Sequence, residues 1–174
     1  MHKWSVASAV IETTCVGATC PPDRTGLLLV ENERQGGRRE WTTPGGVIDS
    51  GESAHVGLTR EVREETGLIV VAWSGLLYTV AVEAPDLGWD LQVEVHRAEA
   101  IEGELTIGED PDGIVVAADW VEEPGIADLV ATAPQWVSEP LIEWSTERFV
   151  EPRTFSYVLI GKTFSDFRVE RLGS

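Results

Sequence analysis

The spacing of apolar and polar residues changes several times along the chain, and each change marks a predicted element. Residues 4–14 (WSVASAVIETT) and 25–32 (TGLLLVEN) read as strands, the second apolar enough from Leu27 to Val30 to be buried on both faces. Cys20-Pro21-Pro22-Asp23 is a turn signal between them. ERQGGRRE (33–40) suits a hairpin loop, and EWTTPGGVID carries a short strand into a Pro-Gly-Gly break. Residues 53–66 (SAHVGLTREVREET) form the clearest helix. Ser53 or Ser50 can cap its start, Gly67 stops it, and Val56, Thr59, Val62 and Thr66 fall along one side.

Beyond this helix, LIVVAWSGLLYTVAVEAP and WDLQVEVHRAEAIEGEL carry the β-branched, partly alternating pattern of two or more strands, and GIVVAADWV is a further one. Residues 124–147 suggest one or two helices broken by Pro134 and Pro140. The tail RTFSYVLIGKTFSDFRVERL resembles a hairpin turning near Gly161-Lys162. Helices interleaved with a mixed sheet define an α/β (α+β) fold.

Composition changes this picture in one respect. Length (174 residues) and hydrophobic content (43%) suit one ordinary domain with a sizeable core, and no repeat or linker divides it. Thirty acidic residues against thirteen Lys and Arg give a net charge of −17, which excludes non-specific nucleic-acid binding and repels an anionic membrane. The same charge would repel a phosphorylated small molecule unless divalent cations stand between carboxylates and substrate. No apolar run approaches the ~20 residues of a membrane span, and the start offers neither a secretory signal nor an anchor. Cys15 and Cys20 cannot make a disulfide framework and by themselves make a poor zinc site, so a reduced, cytoplasmic protein is expected.

Candidate chemistry concentrates in GVIDSGESAHVGLTREVREETGL, Gly46 to Leu68. At 100° per residue, Glu61, Glu64 and Glu65 lie within an arc of about 100° on one helix face, with Arg60 bordering Glu64. Three crowded carboxylates repel one another, and one arginine is too little compensation. An all-oxygen cluster suits Mg2+ or Mn2+ far better than Zn2+. The preceding Pro44-Gly45-Gly46 and Gly51 allow main-chain groups to approach a metal or phosphate closely.

Gly46, five residues, Glu52, seven residues, Arg60-Glu61-Val62, one residue, Glu64-Glu65, one residue, Gly67-Leu68 resembles a complete box of the Nudix (MutT-like) hydrolase family. The resemblance covers roughly residues 4–145. It implies an α/β/α sandwich around a mixed sheet for a Nudix domain over 1–150; the tail has no counterpart in the resemblance and is read from its own pattern as a β-rich C-terminal extension, 151–174, packed on the same domain. It also implies a pyrophosphatase that cleaves the diphosphate linkage of a nucleoside diphosphate derivative by water attack at phosphorus. By position, Glu61, Glu64 and Glu65 would bind the metals, or in one case poise the attacking water, and the Gly45 carbonyl would be a further ligand. Arg60 would orient the glutamates, Glu52 would pair with it, and Gly46 and Gly67 would support the loop and the helix end. A general base is expected on a later loop, where Glu109 is the first choice and Asp110 and Asp112 are close rivals.

Other signals are weaker. Arg34, Arg38 and Arg39 precede Trp41 and could clamp a phosphate, with Arg39 and Trp41 the chosen substrate contacts. Trp41, Trp89, Trp120 and Trp136 could each stack on a base or simply pack in the core. The substrate stays open between a nucleoside triphosphate, including oxidised forms, and an ADP-ribose-like compound, the latter suggested by Pro85. The rival reading is a Nudix-like module that senses a nucleotide without cleaving it. Residues 153–171 would carry a homodimer contact if one forms.

Overall fold

The computed structural model describes residues 1–13, 26–107 and 110–173. Nine strands are present there: β1 His2–Val10, β2 Leu27–Glu33, β3 Arg39–Thr42, β4 Gly45–Val47, β5 Ile69–Ala84, β6 Trp89–Glu102, β7 Val115–Val121, β8 Arg153–Ile160 and β9 Arg168–Leu172. Three α-helices accompany them: α1 Ala54–Thr66, α2 Gly125–Val130 and α3 Gln135–Glu147. A mixed six-stranded sheet runs β4-β1-β6-β5-β8-β9, and an antiparallel three-stranded sheet runs β3-β2-β7. The two central parallel contacts are β1 with β6 and β5 with β8.

Side chains alternate between two cores. Ala7, Ala9 and Leu28 face α1, where Leu58, Val62 and Trp120 complete one cluster. Val10, Leu27, Leu29, Val80 and Val82 face the other way, against Leu141 and Trp144 of α3. The period of two along β2 thus buries both of its faces, as its continuous apolar run requires. The product is an α/β/α sandwich. β8 supplies Phe155, Tyr157 and Leu159 to the α3-side core, so the C-terminal strands continue the six-stranded sheet.

Two expectations are corrected. Val56 is 60% exposed, and the buried stripe of α1 is Leu58, Val62, Glu65 and Thr66. The larger apolar area of Leu58 turns that stripe to the sheet and leaves Val56 outside. Pro134 precedes α3, but Pro140 lies inside the helix without breaking it. Its missing N–H leaves the carbonyl of Trp136 without that bond, in the second turn, while Leu141 and Trp144 are anchored in the core beyond it.

Candidate active site

Local chemistry first fixes the ends of α1. Ser53 takes the N-cap, its hydroxyl accepting from Val56 N–H at 3.3 Å. Gly67 has the left-handed conformation (φ 73°), and its N–H donates to the Arg63 carbonyl. A Cβ at Gly67 would stand 2.2 Å from Thr106 Oγ1, so glycine also lets the 103–107 segment dock on the helix end. The Thr106 N–H donates to the Thr66 carbonyl there, at 2.9 Å.

Loop 43–52 is held against the other flank of the helix. β4 pairs with β1 so closely that a Cβ on Gly45 would be 2.2 Å from the Ala7 carbonyl oxygen. A Cβ on Gly46 would be 2.5 Å from Glu61 Oε2. Gly57 has the same function from the helix side, where a Cβ would meet Ile48 at 2.7 Å and Glu52 Oε2 at 2.9 Å. Sequence reasoning overlooked Gly57; a glycine within a regular helix is itself the signal, because it costs helix propensity and needs a packing reason.

Arg60 is the hub of the carboxylates. Its Nε and Nη2 donate to the two oxygens of Glu52 at 3.3 and 3.0 Å, a bidentate pair. Its Nη1 donates to Glu61 Oε1 at 2.7 Å and Glu64 Oε2 at 3.4 Å. Asp49 lies 3.7 Å from Nη2. The Arg60 hydrogen bonds hold the Glu52 carboxyl below its usual range. Burial pushes Glu61 up in spite of the same arginine. Glu65 is 8% exposed and has one hydrogen bond to its carboxylate, from the Gly45 N–H at 2.9 Å, so burial pushes it up to about 8. Asp112 raises Glu61 further and Asp110 raises Glu65, which brings the 110–112 turn electrostatically to this face.

Gly45 is shared with a cavity of about 290 Å3, near the lower end of small-molecule pockets at ~300 Å3. Its walls include Ser8, Arg34, Glu40, Tyr78 and Trp136. Arg34 Nε donates to the buried Glu40 at 2.7 Å, and Arg34 also acts favourably on Glu65.

A chain with this fold and this helix can be compared with known proteins. The NUDIX domain profile matches residues 13–144. The chain belongs to the Nudix family. The Nudix hydrolase YvcI of Bacillus subtilis, itself uncharacterized, is 42% identical over 45 residues, a match spanning 26% of this chain and 27% of that protein. Among solved structures, MutT of Methanosarcina mazei superposes with a TM-score of 0.64 at 18% identity, covering 86% of this chain and 97% of that one. E. coli ORF135 gives 0.63 at 20%, covering 87% and 96%. The NUDIX domain of Shewanella oneidensis NrtR, solved with ADP ribose, gives 0.57 at 20%, covering 86% and 90%.

Of the residues in the box pattern, Gly46 lies in β4, Glu52 in the loop before α1, Arg60, Glu61, Glu64 and Glu65 on α1, and Gly67 at its C-cap. Among the described residues no group of three or more His, Cys, Asp or Glu side chains stands ready to hold a metal ion. The cause is visible in the hydrogen bonds: Arg60 engages Glu61 and Glu64, and Glu65 turns to Gly45. The donor chemistry fits a hard divalent cation, since it is all oxygen and Glu65 is a buried carboxylate with no ion-pair partner among the described residues.

Glu109 lies outside the described residues. Asp110 uses both oxygens on the N–H groups of Asp112, Ile114 and Val115 and so shapes its turn. Arg39 is paired with Glu31 and Glu33, and Trp41 packs on the α3-side core; neither borders the cavity. Arg34 and Trp136, each from one of those two sequence groups, do. Trp120 is buried in the α1-side core and Trp89 packs on the other. No helix among the described residues is long and apolar enough to cross a membrane.

Proposed function

We propose that the chain hydrolyses the diphosphate linkage of a nucleoside diphosphate derivative, either a nucleoside triphosphate (oxidised forms included) or an ADP-ribose-like compound. One observation carries this reading: Gly45 joins a complete Nudix box to a partly apolar cavity. The anhydride would lie at the carboxylates while the nucleoside enters between the sheets, against Tyr78 and Trp136.

Glu61, Glu64, Glu65 and the Gly45 carbonyl would hold Mg2+ or Mn2+. When bound, that ion would offset the charge of the diphosphate and lower the pKa of a bound water. Arg60 keeps its bidentate grip on Glu52 through Nε and Nη2, so Nη1 can release Glu61 and Glu64 without the side chain leaving its place. Glu52 in turn braces the loop, accepting from the Asp49 N–H at 3.2 Å. Glu109 is assigned as the group that takes the proton from the attacking water. Arg34, at the cavity wall, would face the phosphates.

The test is product formation from nucleoside triphosphates, nucleotide sugars and ADP-ribose, with and without Mg2+. Turnover should require the cation, and Glu64→Gln and Glu65→Gln should each lower kcat by about 100-fold or more, the scale at which a single electrostatic contributor acts. Variants as fast as wild type would overturn the site assignment. Tight binding of a nucleotide without turnover would favour the sensing module.

A further inference from the structure

The carboxylates of the box form a row around α1, and a cavity adjoins each end of that row. At 100° per residue, Glu65, Glu61 and Glu64 follow one another round the helix over about 100°. Glu65, at one end, is hydrogen-bonded to Gly45, which lines the cavity assigned to the nucleoside. Beyond Glu64, at the other end, lies an open groove of about 390 Å3 bordered by Val56, Thr59, Arg60, Arg63, Glu64 and Ile69. The first four of these stand at i, i+3, i+4 and i+7, a single stripe of the helix, and Ile69 flanks it from β5.

This groove combines apolar surface with two hydrogen-bond donors. Val56 and Ile69 are 60% and 38% exposed. Thr59 Oγ1 accepts from Trp73 Nε1–H at 3.2 Å, so its own hydrogen is left to donate, and it finds no acceptor among the described residues. Arg63 is exposed, and among the described residues its guanidinium has neither an ion pair nor a hydrogen bond. Arg60, three residues earlier, is by contrast held by Glu52, Glu61 and Glu64.

We propose that the groove receives the group on the far side of the diphosphate and that this group is a sugar. The substrate is then a nucleoside diphosphate sugar, the class that includes ADP-ribose-like compounds, and not a nucleoside triphosphate. The proposal rests on the hydrolase reading, which puts the nucleoside at the Gly45 end and the diphosphate on the carboxylate row. A sugar ring offers C–H surface to Val56 and Ile69 and hydroxyl oxygens to Thr59 and Arg63, the mixture of apolar wall and few polar groups that fixes a small ligand. A terminal phosphate in the same place meets one arginine beside the Glu64 carboxylate, and loses water against apolar side chains that give it nothing in return.

The experiment is steady-state kinetics of the full chain in Mg2+, comparing each nucleoside diphosphate sugar with the triphosphate of the same nucleoside: ADP-ribose against ATP, and UDP-glucose against UTP. The sugar-linked member of at least one pair should have the higher kcat/KM. Arg63→Ala should cut that preference at least tenfold, through KM, the scale of one hydrogen bond from a charged group, and Arg63→Lys should restore part of it. Val56→Trp fills the groove from an exposed position and should cut the preference equally without lowering Tm. A higher kcat/KM for the triphosphate in both pairs, or a preference that survives either Arg63→Ala or Val56→Trp, would overturn the proposal. If no nucleotide is turned over, the hydrolase reading fails separately, and calorimetric titration with ADP-ribose and with ADP in Mg2+ decides the groove. Tighter binding of ADP-ribose that Val56→Trp removes supports it, and equal affinities refute it.

Discussion

Gly46 and Glu61 are fifteen residues apart in sequence, yet the Glu61 carboxylate occupies the space a Cβ on Gly46 would need, and much of the box depends on close approaches of this kind. Because a Cβ on Gly46 would meet the Glu61 carboxylate, Gly46→Ala should displace that carboxylate and lower kcat more than tenfold. The change in Tm should be small, since the obstacle is the far end of a flexible side chain; a Tm fall without loss of activity would contradict this. Glu52 offers a pH test. Its folded pKa is depressed by Arg60, so its contribution to stability is present above the ordinary carboxylate value of about 4.3 and is lost as pH falls through the lower folded value. Glu52→Gln should therefore lower Tm at pH 7, and the difference from wild type should close below about pH 4 in a thermal scan series. The shared helix face of Glu61, Glu64 and Glu65 was legible in the sequence, because 3.6 residues per turn is local geometry. That Glu65 is buried on the Gly45 N–H was not, since the partner comes from a β-strand twenty residues upstream.

At the scale of elements, α1 is the part most completely written in its own sequence. Ser53, Gly67 and the box between them are short-range signals, and the helix begins and ends where they place it. Gly67→Ala imposes a left-handed conformation on alanine, a cost of about 1 kcal/mol, and adds the clash with Thr106. Urea unfolding should show a loss above that ~1 kcal/mol; a variant as stable as wild type would mean that the 103–107 segment moves freely away. The rotated stripe of α1 and the tolerance of Pro140 in α3 were not legible. Both follow from packing against partners, Leu58 on the sheet and Leu141 with Trp144 in the core, which outweighs local propensity.

For the whole molecule, the tail is the informative case. Its sequence suggests a hairpin, and β8 and β9 form one, paired antiparallel; what the sequence does not tell is that β8 also joins the six-stranded sheet beside β5, with Phe155, Tyr157 and Leu159 each no more than 2% exposed. Removal of residues 151–174 should expose the α3-side core and abolish cooperative unfolding, read by circular dichroism during heating; a truncated chain that melts sharply would show that the domain closes without them. The cavity belongs to the same scale, since its walls come from β1, the 34–45 region, β5, β6 and α3. Choosing Arg34 over Arg39 required knowing which face of the 34–41 hairpin turns inward, and choosing Trp136 over Trp41 required knowing where α3 packs. By itself the sequence determined the carboxylate helix, its caps, the strand pattern and the family, because each rests on periodicity or spacing within a few turns of chain. Only the tertiary structure decided the Arg60 hub, the burial of Glu65 and the place of β8, because each joins residues whose separation along the chain carries no information about their approach.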